Sequence, residues 1–342
     1  MKGWLFMNET IREKACAKEK EILSPRAALA CESRGRLREE TECPVRTAFQ
    51  RDRDRIIHCS SFRRLKHKTQ VFLSPEGDYY RTRLTHTLEV SQIARTISGA
   101  LMLNGDLTEA IALGHDLGHT PFGHAGERAL NAISPGGFKH YAQSMRVVDV
   151  LEKDGRGLNL TFEVRNGIER HTNGEQAVTL EGRVVRLADR IAYINHDIDD
   201  ALRAGVLKEF ELPGEILRIL GETHGQRIDT LIRDIVRESE GKNDICMSEV
   251  VQNAFDELRN FMFEKVYFDG WRKKEEEKCE YVISMLFHYF MEHPGEMPLE
   301  YVQIAYRDGT ERAVTDFLAC MTDRYALRTF QQLFAPSAFP VI

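Results

Sequence analysis

No CxxC pair occurs among the seven cysteines of this 342-residue chain, which are Cys16, Cys31, Cys43, Cys59, Cys246, Cys279 and Cys320. Scattered cysteines, odd in number, exclude a disulfide scaffold and a cysteine-bound zinc, and they point to reduced thiols in a cytoplasmic protein. Long apolar runs are missing too. Nothing approaches the roughly 20 residues of a membrane span, and the stretch from Trp4 to Met7 is too short for a signal sequence. Met7 is an alternative start, which would leave Met1 to Phe6 as an unstructured extension. Positive charge is in deficit: 47 Lys and Arg against 53 Asp and Glu give a net charge of −6. That removes any general attraction to nucleic acid or to an anionic membrane. Alternating strand patterns are scarce, and no internal repeat or low-complexity tract occurs.

What is present reads as helix almost throughout. A highly charged helix is expected over 8–23, then a polar, irregular stretch to about Arg46. Amphipathic character returns from Thr47 to Lys66 with Phe49, Ile56, Ile57, Phe62 and Leu65. Ser74 to Asp78 is a turn by composition. Thr85 to Leu103 is a helix, because Leu88, Ile93, Ile97 and Leu101 recur near the 3.6-residue period. Asp106-Leu107-Thr108-Glu109 reads as a capping box opening a short helix that ends at His115. Further helices are expected at 124–133, 141–153, 161–171 and 177–204. A polar gap at 238–247 precedes a helical block, 248–331, broken at His293-Pro294-Gly295. The charge run from Arg272 to Lys278 is a solvated helix face. With 42% hydrophobic residues the chain can bury a sizeable core. The expectation is an all-α protein with an N-terminal extension (1–45), a core (46–210) and a C-terminal helical region packed on it (211–342).

Chemistry concentrates in one segment, Gly114-His115-Asp116-Leu117-Gly118-His119-Thr120-Pro121-Phe122-Gly123-His124. Imidazole and carboxylate together suit divalent ions such as Mn, Fe, Co and Ni, and the glycines are expected to let the backbone turn tightly. Adjacent helical residues diverge by about 100°, so His115 and Asp116 reach one ion only near a helix end, which Gly118 supplies. Other residues are ambiguous one at a time. His86, in an apolar helix, is by itself more often a core histidine. Asp189, in the apolar stretch Val184 to Tyr193, must be paired or ligating, with Arg186 or Arg190 as ordinary partners. His124 and Glu127 share a helix face by their spacing. Between Arg46 and Lys68, eight basic residues face only Asp52 and Asp54, which reads equally as a local anion site or an ion-paired surface.

Taken together and in this order, these residues resemble the HD superfamily of metal-dependent phosphohydrolases. Within it the chain is similar to the deoxynucleoside triphosphate triphosphohydrolases, the dGTPase-like proteins. The likeness runs through Phe49 to Ile57, Phe62 to Phe72, Arg83 to Val90, His115 to Glu127, Ala188 to Tyr193 and Met321 to Ala326. The resemblance implies an HD-domain helical fold with an additional C-terminal helical block. It implies that His86, His115, Asp116 and Asp189 bind one divalent metal (Mn, Mg, Fe, Co or Ni), and that His124, Glu127 and His140 form the catalytic centre. Arg83 would face phosphate or base, Lys139 is a candidate anion contact, and Tyr193 would pack on the deoxyribose. Asp197 and Gln70 would hold the 3′-hydroxyl, and His119 would touch phosphate or brace the loop. The implied reaction converts a dNTP to deoxynucleoside and inorganic triphosphate in a homo-oligomer. Other partners left open are a dNTP effector, bound near Arg51 and Lys68 or elsewhere, and single-stranded nucleic acid. Two rivals stand beside it: a different HD nucleotide phosphohydrolase or phosphodiesterase, and a nucleotide-sensing or nucleic-acid-binding protein with a vestigial site.

Overall fold

The computed structural model describes residues 9–70, 81–172, 174–267 and 270–336, without the side chains of 267 and 270–272. Residues 1–8, with Met7, and the turn expected at Ser74–Asp78 lie outside them. The described residues contain no strand. Their only β pairing is two isolated bridges, Arg36 with Thr161 and Thr69 with Thr82.

Local chemistry sets the helix ends. Thr10 and Thr47 open Ile11–Ile22 and Ala48–Ile57 as capping boxes with Glu13 and Gln50, which satisfy backbone donors that a helix start leaves free. The amphipathic stretch after Thr47 is interrupted at His58, because Cys59 caps a second helix, Ser60–Arg64. The helix leading to His115 begins earlier than expected. Its cap is Asn104, whose side chain accepts the Leu107 N–H, and the helix runs Gly105–Gly114. Asp106 instead binds Gln50 and Arg53. The helix expected over 141–153 stops sooner: His140–Arg146 passes into a wider turn at Val147–Leu151. Lys153 and Asp154 then adopt left-handed backbone angles (φ 56° and 57°), which L-residues visit at a cost.

Buried apolar side chains gather in two clusters. The first joins Ala48–Ile57, Arg83–Ala100, Gly105–Gly114, Phe162–Glu169 and Leu180–Arg203, and it continues into His224–Ser239 and Glu249–Met262. The second joins Gly123–Ile133 to the C-terminal helices Gly270–Glu292, Leu299–Asp308, Thr310–Cys320 and Asp323–Phe334. The segment 114–124 therefore starts in one cluster and ends in the other.

Two buried polar side chains pin it there. Lys68 Nζ donates to the carbonyls of His119 and Ala319, and burial pushes its ammonium down to about 7. Asp323 accepts the N–H groups of Thr69 and Phe122, each at 2.9 Å. The second bond holds Phe122 in its left-handed conformation (φ 62°) at the head of the next helix.

Glu181 ties the N-terminal extension to the core by accepting the Ala28 and Asn104 N–H groups at 3.0 and 2.9 Å. Burial pushes its carboxyl up to about 7, against the pull of those bonds. A raised acid binds its proton more tightly folded than unfolded, so its contribution is fully present below the unfolded value, about 4.5, and is lost as pH rises through about 7. Glu181→Gln keeps one acceptor oxygen and removes the charge. Its melting temperature should exceed that of the parent by several degrees near pH 8 and match it near pH 4. Equal gains at both pH values would contradict this.

Candidate active site

His115 caps the C-terminal end of Gly105–Gly114 and is fully buried. Its Nδ1 lies 2.6 Å from the Ala112 carbonyl. A carbonyl only accepts, so Nδ1 carries the hydrogen and Nε2 presents a lone pair. That Nε2 is buried without a hydrogen-bond partner. It faces Asp116 Oδ1 at 3.4 Å and Asp189 Oδ1 at 3.7 Å. His86, from Arg83–Ala100, brings Nε2 to 3.1 Å from Asp189 Oδ1. A bare imidazole nitrogen beside two carboxylates, its tautomer fixed by a backbone carbonyl, is a set of donors that could hold a divalent cation. Ligand atoms of His86, His115 and Asp116 all lie within 4.8 Å of one another.

The surrounding charges hold both carboxylates ionised. For Asp116, burial would raise the carboxyl, but His115, His119 and Arg83 outweigh it and keep it well below the usual range. Asp189 is held at about 2, its burial opposed by the His86 hydrogen bond and the nearby His115. Of the ordinary partners expected for Asp189, Arg186 donates instead to the Gly174 carbonyl at 3.2 Å. Arg83 donates to Asp116 Oδ2 at 2.7 Å and is 2% exposed. It holds the carboxylate in place as well as facing the cavity.

A second group of side chains adjoins the first. His119 Nε2 is 3.4 Å from Asp116 Oδ1, and its ring stacks on His140 at 4.1 Å and 15°. Burial and the Arg83 charge hold His119 well below the usual imidazole range. Glu127 receives His140 Nδ1 at 3.0 Å and the His140 backbone N–H at 3.0 Å. The spacing of His124 and Glu127 does place both on one helix face, but His124 Nδ1 stands off at 4.0 Å and its side chain is 64% exposed. Tertiary packing thus gives the closer Glu127 contacts to His140.

Gly118 makes this possible through close approach, because a Cβ there would lie 2.1 Å from the Ser144 nitrogen and 2.6 Å from the His140 carbonyl oxygen. Of the three glycines expected to turn the chain, only Gly123 has a positive φ (56°). Gly118→Ala should push the His140–Arg146 helix outward. It should lower the melting temperature by several degrees, an overpacking cost of about 1–3 kcal/mol, and weaken catalysis through His140. Unchanged stability would show that the two segments separate freely.

Beside these groups opens a cavity of 680 Å³. Of the residues expected to meet substrate, Gln70, Arg83, His119, Tyr193 and Asp197 line it, together with His124 and His140. Lys139 does not: it is exposed and precedes the His140 helix. Nor do Arg51 and Lys68. Arg51 pairs with Glu40, and Lys68 is occupied by its two carbonyls. The alternative of an ion-paired face describes most of the basic stretch, since Arg46, Arg53 and Arg55 also pair with carboxylates.

The cavity also contains residues that sequence reasoning passed over, Arg128, His171, Arg259, Asn260 and Phe263, and Arg190, which it had weighed only as a partner of Asp189. His171 carried a readable signal. Like His115 it sits just past a helix end, and its Nδ1 meets the carbonyl three residues back, Ile168, at 2.7 Å.

Comparison with known proteins matches the HD domain over residues 83–194 and a phosphohydrolase-associated domain over residues 245–332. The chain is 59% identical over 327 residues to a deoxyguanosinetriphosphate triphosphohydrolase-like protein of Caldanaerobacter subterraneus subsp. tengcongensis, covering 96% of each. A like-named protein of Desulfatibacillum aliphaticivorans is 49% identical over 347 residues, covering 96% of this chain and 99% of the relative. Another, from Clostridium perfringens (strain SM101), is 49% identical over 335 residues, covering 95% and 98%. No helix among the described residues is long and apolar enough to cross a membrane.

Proposed function

The chain belongs to the family of deoxyguanosinetriphosphate triphosphohydrolase-like proteins built on an HD domain, and on that premise we propose that it hydrolyses deoxynucleoside triphosphates to deoxynucleoside and inorganic triphosphate. The observation that carries this reading is the buried, partnerless His115 Nε2 between two carboxylates, beside a cavity lined by several arginines.

His86, His115, Asp116 and Asp189 would hold one divalent ion. Mn, Mg, Fe, Co and Ni all suit those donors, and such an ion, when bound, would supply positive charge to a phosphate group. The chain's own groups do the rest. Arg83 fixes Asp116, and the other arginines lining the cavity, among them Arg128 in its ion pairs with Glu276 and Glu280 and Arg259 beside Asp256, add positive charge along the triphosphate, the largest contribution in phosphoryl transfer. Tyr193 packs on the sugar from the same helix face as Asp189, and Asp197 and Gln70 hydrogen-bond the 3′-hydroxyl. His140, oriented by Glu127, and the exposed His124 move protons at the leaving 5′-oxygen and the attacking water.

The test is incubation of the purified, metal-loaded protein with each of the four dNTPs, singly and mixed, with product identification. Deoxynucleoside and triphosphate are expected. Release of orthophosphate or a monophosphate would replace this reading with that of another HD nucleotide phosphohydrolase.

A further inference from the structure

One buried imidazole has no part in the mechanism above. His171, just past the end of Phe162–Glu169, is 2% exposed and lines the cavity. Its Nε2 lies 3.3 Å from His140 Nε2. Two imidazole nitrogens at that distance attract only if one hydrogen lies between them, and the other bonds of each ring decide which nitrogen carries it.

The ring hydrogens can be placed one by one. His171 Nδ1 faces the Ile168 carbonyl at 2.7 Å, and a carbonyl cannot donate, so the hydrogen is on Nδ1. Of the two rings, His140 is the one ion-paired to a carboxylate, with Nδ1 3.0 Å from Glu127 Oε2, whereas His171 is hydrogen-bonded to a backbone carbonyl, so a shared positive charge rests on His140 and His171 is the neutral ring. Its Nε2 is therefore a lone pair. His140 Nδ1 faces both oxygens of Glu127, at 3.2 and 3.0 Å. Burial would raise the Glu127 carboxyl, but His124 and His140 hold it well below the usual range. It is an ionised acceptor, so His140 Nδ1 also carries a hydrogen. The hydrogen between the rings must then belong to His140 Nε2. His140 is suspended as a doubly hydrogenated ring between a carboxylate and a neutral imidazole.

We infer that His171 is a positioning residue for the proton donor: by accepting the His140 Nε2–H it keeps His140 doubly hydrogenated beside the cavity. This rests on the triphosphohydrolase reading for the identity of the acceptor, the leaving 5′-oxygen. As the water oxygen bonds to phosphorus, the P–O5′ bond breaks and its electron pair stays on oxygen. The His140 Nε2–H leaves its bond to His171 Nε2 and passes to that oxygen, and the water loses one hydrogen to solvent through His124. Two lone pairs then face each other at the His140–His171 contact, and their repulsion favours return of a proton to His140 before the next turnover.

The experiment compares the parent with His171→Ala and His171→Gln, each loaded with Mg. His171→Ala should lower kcat for the dNTP that proves to be the best substrate by about 30-fold or more, within the range of general acid catalysis. KM should stay within about threefold and metal content should be unchanged, the pattern of a group acting in the transition state. His171→Gln, whose amide oxygen can accept the same hydrogen, should recover part of the loss. On a 4-nitrophenyl phosphodiester, whose leaving group needs no proton, both variants should match the parent. Equal losses on both substrates, or loss of metal, would make His171 a structural or ligating residue and overturn the inference.

A readout independent of turnover is the ¹H–¹⁵N spectrum of the imidazole nitrogens. It should show hydrogen on both His140 nitrogens in the parent and a changed Nε2 signal in His171→Ala. If no dNTP yields triphosphate but this signature is present, the substrate assignment fails and the role of His171 stands. If triphosphate forms and the Nε2 hydrogen is absent, the reverse holds.

Discussion

Asp116→Ala should abolish turnover and empty the metal site. One carboxylate there receives Arg83 at 2.7 Å and lies 3.4 Å from both His115 and His119. Its removal takes away an anionic ligand, and a bound cation supplies several kcal/mol of charge stabilisation in phosphoryl transfer. At about 1.4 kcal/mol for each tenfold, the expected loss is on the order of 10³-fold or more. A stability cost accompanies it, because Arg83 is left as a buried cation without its partner, a situation worth about 3–5 kcal/mol. Asp116→Asn separates the two effects. It keeps the volume and an acceptor for Arg83, so its melting temperature should fall less while metal content and triphosphate release still collapse. Turnover within tenfold of the parent, with metal retained, would remove Asp116 from the site.

His140→Ala should lower kcat by about 10²–10⁴-fold, the range for loss of a positioned proton donor, with metal content intact. The prediction follows from its bonds. Glu127 holds Nδ1 at 3.0 Å, His171 meets Nε2 at 3.3 Å, and His119 stacks on the ring at 4.1 Å. Each contact fixes a different coordinate of the ring, so an alanine leaves neither a proton nor a substitute for it. His124→Ala should cost less, since that side chain is mostly exposed and 4.0 Å from Glu127. Measured kcat for the two variants, with metal analysis, decides between them. A larger loss for His124→Ala would mean that it closes onto substrate and that His140 is secondary.

The candidate site was legible in the sequence to an uneven depth. His115 and Asp116 announce themselves as neighbours at a helix end, and their spacing alone justified attention. His86 and Asp189 did not: they are 103 positions apart and meet at 3.1 Å, so only the family pattern connected them beforehand. Helical spacing put His124 and Glu127 on one face, which is correct, but a shared face fixes proximity to within several ångströms and leaves hydrogen bonding open. The bonds of Glu127 were settled by a different helix, seated against Gly118. His171 was passed over although it follows a helix end as His115 does, because no acidic neighbour in the sequence marks it and its partner His140 lies 31 positions away. Lys68 shows the converse. It looked like part of an anion-binding patch, and the fold encloses it between two carbonyls.

By itself the sequence determined the all-helical character, most helix positions, the family and the residue types proposed for the metal site. These are recorded in local periodicity, in capping residues and in motif order, each of which acts over a few positions along the chain. Only the tertiary structure decided which carboxylate holds which imidazole, which basic groups line the cavity, and that the segment 114–124 bridges two hydrophobic clusters. Those outcomes depend on contacts between residues far apart in the chain, where one missing Cβ or one buried carbonyl shifts a partner by ångströms. Hydrogen bonding is sensitive at that scale, and spacing along a helix is not.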